Sequence, residues 1–313
     1  MQKNIFHILL VGLLALNACN QPQLTSPSLE VTTPKTTYQV GEPVEFSFSG
    51  NPDFITFYSG EVGKRQAYVK RLSAEGTPTL QFTSARANGS QPNSLIILAS
   101  NDFVGFGATT DESWQNVRNA TWIDLTSQAK LSTGSSTSSG AIDLSSAMVV
   151  DKSTYIAFKY VGEVGSKQNK WTISNLKVSN ELPDGTSYTL ANHTSTAITN
   201  YGVNYGMSPG WRTYLGSASY NWSVSTTSLV ITGATSDAAA TVPAEAWAIT
   251  GPIDLTRVSP DLGTFLKGMT TKETGYTYQY NTPGTYQASF VAANNLLGEE
   301  KQVVKTVTIT VTE

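Results

Sequence analysis

The chain has 313 residues, 14% of them charged, with 20 Lys+Arg against 23 Asp+Glu for a net charge of −3. That balance, with no basic cluster, excludes nucleic acid and an anionic membrane surface as electrostatic partners. One cysteine excludes an internal disulfide, and two histidines, His7 and His193, exclude a His/Cys metal cluster.

Lys3 precedes the apolar run Ile5 to Leu16, too short to span a bilayer stably and of the length of a signal-peptide core. The run ends in Leu16-Asn17-Ala18-Cys19, which resembles the lipobox of bacterial lipoproteins. The resemblance implies that residues 1–19 form a lipoprotein signal peptide and that Cys19 is acylated and held in outer-membrane lipid, with cell-surface display favoured. Asn20-Gln21-Pro22-Gln23 carries no acidic export signal, which keeps the periplasmic face open as the alternative. Residues 20–28, rich in Pro, Gln, Ser and Thr without periodicity, read as a flexible tether.

From Leu29 onward the dominant period is two, so the fold class is all-β. Glu112–Asn119 and Asp261–Lys267 are the best short helical candidates. In the front segment Val44, Phe46 and Phe48 share one face of a strand that follows the Gly41-Glu42-Pro43 turn. At the back, Tyr278 to Asn294 contains a Pro283-Gly284 turn feeding a strand, and Val303–Val311 forms the last strand. This back segment looks like the tail of a polycystic-kidney-disease-type (PKD-like, Ig-like) domain. Neither end has enough strands to close a sandwich, so residues 29–60 and 276–313 are expected to pair as one split sandwich, with residues 61–275 inserted.

Within the insertion, Thr121 to Thr126, Ala141 to Ser145, Thr154 to Gly162 and Lys170 to Val178 resemble the jelly-roll domains of Bacteroidetes cell-surface lipoproteins. A third Ile-Asp-Leu follows at Ile253-Asp254-Leu255. The whole arrangement is similar to a Bacteroidetes lipoprotein family of unknown function whose members sit beside starch-utilisation-type uptake systems. The resemblance implies a poly- or oligosaccharide ligand and outer-membrane glycan transporter components as partners.

Catalytic signals are sparse. His193 reads as a solvated loop residue, and Asp102, Asp111 and Glu112 as solvated carboxylates, with paired-carboxylate hydrolysis as the competing reading. Asp124, Asp143 and Asp254 recur in one local motif, which points to a structural turn or cap, with a structural calcium as the alternative. No other cofactor is expected.

Aromatic residues carry more. Sugars are held by stacking on ring faces together with a few fixed polar groups. Trp122, Trp171 and Trp247 alternate with apolar residues and read as core. The glycine-punctuated stretch from Tyr201 to Tyr214 reads as a loop-borne sugar platform using Trp211, Tyr205 and Tyr214, with Tyr201, Asn204 and Arg212 beside them and Trp114 and Trp222 next in line. The expected function is therefore non-catalytic glycan binding on a membrane anchor. A structural or adhesive envelope protein and a carbohydrate-active hydrolase or lyase are the alternatives.

Overall fold

A computed structural model of the chain describes residues 23–89, 91–194, 198–200, 209–217 and 220–313. Cys19 and the signal segment lie outside the described residues. Among the described residues the chain is all-β apart from one α-helix and a few single 3-10 turns, and it divides into two compact units: residues 1–70 with 260–313, and residues 71–259.

The first unit is built from both ends of the chain. One sheet orders Leu29–Thr32, Pro43–Gly50 and Gly275–Gln279; the other orders Thr264–Lys267, Phe54–Tyr58, Gly284–Leu296, Glu299–Thr312 and Thr37–Gln39. Period-two alternation places Val44 and Phe46 inward against Phe57 and Phe290, with ring centroids of Phe46 and Phe290 4.9 Å apart and of Phe57 and Phe290 5.0 Å apart. Phe290 comes from the far end of the sequence, so the front strands lack half their core until the back segment docks.

The chain does not leave this unit at residue 60. Gly60 has φ +85, and an added Cβ would lie 2.6 Å from Gln287 N, so this turn needs glycine. Gly60 N donates to Lys64 O at 2.9 Å, turning the chain back, and Arg65 then donates from its backbone N and its Nε to Asp261 Oδ2 at 3.0 and 2.9 Å. This ion pair, with the Asp261 carboxylate fully buried, ties the outgoing segment to the returning one within the unit. It moves the boundaries to Lys70 and Pro260, where the sequence pattern placed them at residues 60 and 276. Residues 264–267, expected near the end of a helix, form a strand, because the edge of Phe54–Tyr58 offers its backbone groups as partners. The expected tether is in part laid down: Leu24 O accepts from Lys301 Nζ at 2.8 Å and Thr25 O from Asn294 Nδ2 at 3.1 Å.

The second unit is a two-sheet sandwich. Its five-stranded sheet orders Arg212–Ser217, Ala244–Ile249, Tyr155–Gly162, Leu95–Ser100 and Ile123–Asp124. The facing sheet centres on Asn169–Glu181, flanked on one side by Thr77–Asn88 and on the other by Ser187–His193 and Ser228–Thr232. Leu95, Ile97, Ile156, Phe158 and Tyr160 from the first sheet meet Leu80, Phe82, Trp171 and Ile173 from the second in the interior.

The three repeated aspartates are caps. Asp124, Asp143 and Asp254 each accept, through Oδ1, the backbone N–H two residues on, from Thr126 at 2.8 Å, Ser145 at 2.8 Å and Thr256 at 2.9 Å. The leucine following each, Leu125, Leu144 or Leu255, is buried. The motif thus closes a turn and sends one apolar side chain inward, and among the described residues no group of three or more His, Cys, Asp and Glu side chains is placed to hold a metal ion.

Candidate functional site

The described aromatic residues of the expected platform are not presented to solvent. Tyr201, Asn204 and Tyr205 lie outside the described residues. Trp211, Tyr214 and Trp222 are buried, at 6%, 8% and 4% exposure. Residues 212–217 are a strand paired with Ala244–Ile249, Arg212 opposite Ile249 and Tyr214 opposite Trp247. Alternation along this strand sends Trp211 into the interior, where its ring meets Phe158 at 5.7 Å, and sends Arg212 and Tyr214 to the outer face. Trp222 also packs against Phe158 and donates its indole N–H to Ala246 O at 3.3 Å.

His193, expected in solvent, is 1% exposed. It accepts the Trp211 indole N–H at Nδ1, 3.1 Å away, and its Nε2 lies 2.7 Å from Ser225 O. An indole is only a donor and a carbonyl only an acceptor, so these partners assign the neutral tautomer with the proton on Nε2. Burial lowers the imidazole pKa below its ordinary value, against the Ser225 carbonyl, which pulls it up.

The groove lies on the other side of the same sheet. Across the outer face, register places Ile96 opposite Lys159 and Lys159 opposite Trp247. One helix, Thr110–Asn119, stands over this row. Its start is fixed by a reciprocal cap in which Thr109 Oγ1 accepts from Glu112 N and Glu112 Oε2 accepts from Thr109 N, both at 3.2 Å. It is held to the sheet by the Tyr214 hydroxyl, which donates to Thr110 O, and to the loop before it by Asn116 Nδ2, which donates to Gly105 O at 2.8 Å. Beyond the helix, Asp102 Oδ1 accepts from Thr121 N and Ser100 Oγ, both at 2.8 Å, and these bonds hold its carboxyl below the usual range. Asp102 and Glu112, candidates for a carboxylate pair, are thus engaged in fixing the backbone around the helix.

Between helix and sheet an open groove of about 470 Å3 remains, within the roughly 300–1,000 Å3 common for small-ligand sites. Trp114 and Arg118 of the helix, Trp122 just after it, and Lys159, Glu245 and Trp247 of the sheet line it, with Ile96 and Leu98 on the floor and Asp124 at one side. The Trp122 and Trp247 rings lie 5.3 Å apart at 48°. Each ring is fixed: Trp122 Nε1 donates to Val117 O and Trp247 Nε1 to Glu245 Oε1, both at 2.8 Å. The Arg118 guanidinium sits 4.9 Å over the Trp114 ring and Lys159 Nζ 5.0 Å over that of Trp247, while Lys159 also pairs with Glu245 at 3.5 Å. Trp114 can lie against the sheet edge because Gly216 has no side chain; a Cβ there would come within 2.7 Å of the indole ring.

Of the sequence-predicted site residues that are described, Trp114 alone lines this groove. Arg212 lies on the same outer face but beside a separate cavity of about 200 Å3, its guanidinium 4.8 Å over Phe106. Trp247, expected in the core, is buried at 5% exposure in the cluster on the outer face of the sheet while also bordering the groove, and Trp122, likewise expected in the core, is half-buried at the groove wall. Their alternation with apolar neighbours is real, but this sheet is apolar on both faces, its outer one carrying a smaller cluster with Phe103, Val117 and Ile249.

Among the described residues no helix is long and apolar enough to cross a membrane. No curated protein matches the chain, and no solved structure does. A family model matches residues 18–198, more than half of the sequence, from the lipobox-like cysteine through the helix and most of the groove strands. The chain belongs to the family described as a domain of unknown function (DUF5017).

Proposed function

We propose that the protein is a non-catalytic glycan-binding lipoprotein, anchored in outer-membrane lipid through Cys19, that captures poly- or oligosaccharide in the tryptophan groove of its second unit for a starch-utilisation-type uptake system. The observation that carries this reading is the groove itself: three tryptophan rings around an open cleft, with Lys159, Glu245, Arg118 and Asp124 interspersed as hydrogen-bonding groups. Sugar rings present apolar faces edged by hydroxyls, and such a mixture of ring faces with a few oriented polar groups complements them. The lipobox-like Leu16-Asn17-Ala18-Cys19 supports the anchor, and the resemblance of the jelly-roll motifs and of the frame-and-insertion arrangement to Bacteroidetes lipoproteins supports the uptake setting.

The test is a glycan array on the tag-purified mature protein, followed by titration of the best ligand against Trp122→Ala. Trp122 is half-buried at the groove wall, so its loss should weaken binding by about 1–3 kcal/mol while the protein stays folded. Unchanged affinity in the folded variant overturns the groove assignment. Binding to envelope proteins without sugar binding would point to an adhesive role.

A further inference from the structure

We propose that the hairpin tip at Leu296-Leu297-Gly298, with Met269 just past the end of the edge strand Thr264–Lys267, is the surface by which the first unit rests on the lipid bilayer. The inference relies on acylation of Cys19 but concerns a different part of the molecule.

Leu297 is the starting point. Five described non-glycine residues have positive φ: Asn88, Asn93, Asp151, Asn175 and Leu297. Four are Asn or Asp, whose short polar side chains tolerate the left-handed region, whereas leucine does not gain from it. Leu297 has φ +51 and Gly298 φ +89, the pattern of a two-residue hairpin turn in which Asn-Gly is the usual pair. The leucine at this place is 89% exposed, so it contributes nothing to the core that would offset the backbone cost. An aliphatic side chain held at a solvent-facing tip calls for an apolar surface outside the chain.

A further large apolar side chain stands at the same end of the unit. Met269 is 64% exposed. Lys267 pairs with Ile55, and the next residue of that strand, Phe54, pairs with Ala293, four residues before the hairpin tip. Met269 therefore follows its strand out of the sheet at the end from which the hairpin projects.

The occupant is identified by where the anchored segment meets the unit. Leu24 O is bonded to Lys301, and Thr25 O to Asn294, residues that face each other across the hairpin two pairs before its turn. Cys19 precedes Leu24 by five residues, a span of at most about 17–18 Å when fully extended. An acylated Cys19 thus holds the bilayer close to this end of the unit. Glu299 and Glu300, exposed beside the tip, make an uncharged lipid surface a better fit than an anionic one.

The experiment uses the processed, lipidated protein in phosphatidylcholine vesicles. With the Cys19 thiol acylated, Leu297→Cys supplies a free thiol for an environment-sensitive fluorophore, and Thr285→Cys, about 40 Å away along the same hairpin, supplies the control. The label at position 297 should shift to the blue and be quenched at least twofold by nitroxide-bearing lipid, as should one on Met269→Cys, while the label at 285 is unaffected. Replacing part of the phosphatidylcholine with phosphatidylglycerol should reduce the quenching at 297. Vesicle-bound protein whose labels at 297 and 269 behave like the control overturns the contact and leaves the anchor standing. Native protein that fails to float with the vesicles, as Cys19→Ala should fail, overturns anchor and contact together.

Discussion

On the inner face of the strand Tyr155–Gly162, Phe158 packs against Trp211 and Trp222, while one residue along, on the outer face, Lys159 lies opposite Trp247 at the floor of an open groove. The same residue type is thus used in two ways across a single sheet. The inner rings fill volume between sheets and hand their N–H groups to buried acceptors, His193 and the Ala246 carbonyl. The outer rings also have their N–H groups satisfied locally; Trp247 is as buried as the inner rings, whereas Trp122 is half-buried and borders the groove. For the rings at strand positions the face is set by the parity of the residue in its own strand, Trp211 falling on the inner side of its alternation and Trp247 on the outer side of its own.

That contrast can be broken most forcefully from the inside. Trp211→Ala should cost about 3–5 kcal/mol of stability, since it empties a ring-sized volume in the interior and strips His193 of its donor. Urea unfolding of the purified protein would read this as a lower midpoint. A Trp211→Ala protein as stable as the parent would mean that the ring is not packed between the sheets at all.

How much of this was legible beforehand depended on which constraint was local. The split first unit could be read because each terminal segment had too few strands to bury its own aromatic face. The capping role of Asp124, Asp143 and Asp254 was readable because a cap is made within two residues. The groove was not readable. The glycines around Trp211 looked like loop punctuation, yet the pairing of Arg212 with Ile249 and Tyr214 with Trp247 turned its second half into a strand. Nothing in the stretch itself shows that partner, thirty or so residues away. Period two reads both Trp122 and Trp247 as core; Trp247 is buried, on the outer face, and Trp122 is half-buried, because a sheet covered by a helix is apolar on both sides and the alternation does not say where the cover stops. The signal that could have found the groove was the capping pattern Thr109-x-x-Glu112, which marks a lone helix in an all-β chain directly before Trp114 and Trp122.

The inner face should also respond to pH. An unfolded histidine titrates near 6.5, and in the fold the neutral form of His193 is favoured by burial, so the folded pKa lies below the unfolded one. Between those two values the unfolded chain binds more protons, so stability is full above about pH 6.5 and falls as the pH drops through the folded pKa. Urea midpoints measured from pH 7.5 down to 5 should decline in this window. Gln at position 193 can accept from Trp211 and donate to the Ser225 carbonyl without titrating, so His193→Gln should flatten the decline. A parent protein with no pH dependence in that window would show that the imidazole is not held neutral by the fold.

The outer face should be the tolerant one, and Glu245→Gln sharpens this to a distinction between binding and catalysis. Glu245 Oε1 accepts from Trp247 Nε1 at 2.8 Å and pairs with Lys159 at 3.5 Å, with both charged side chains partly open to solvent. An amide oxygen still accepts the indole hydrogen bond, so the ring stays in place and only the ion pair is lost. Partly exposed pairs of this kind are worth about 0.2–1 kcal/mol, so both stability and glycan affinity should change by no more than that. Glu245 and Asp124 are the two carboxylates lining the groove. Were they a hydrolytic pair, the same substitution would remove a general acid or base and cost roughly 10²–10⁴ in turnover while leaving binding intact. Incubating the array's best glycan with parent and variant and measuring reducing ends released separates the two outcomes: a binder gives no product with either chain, whereas product from the parent that disappears with Glu245→Gln would make the groove an active site.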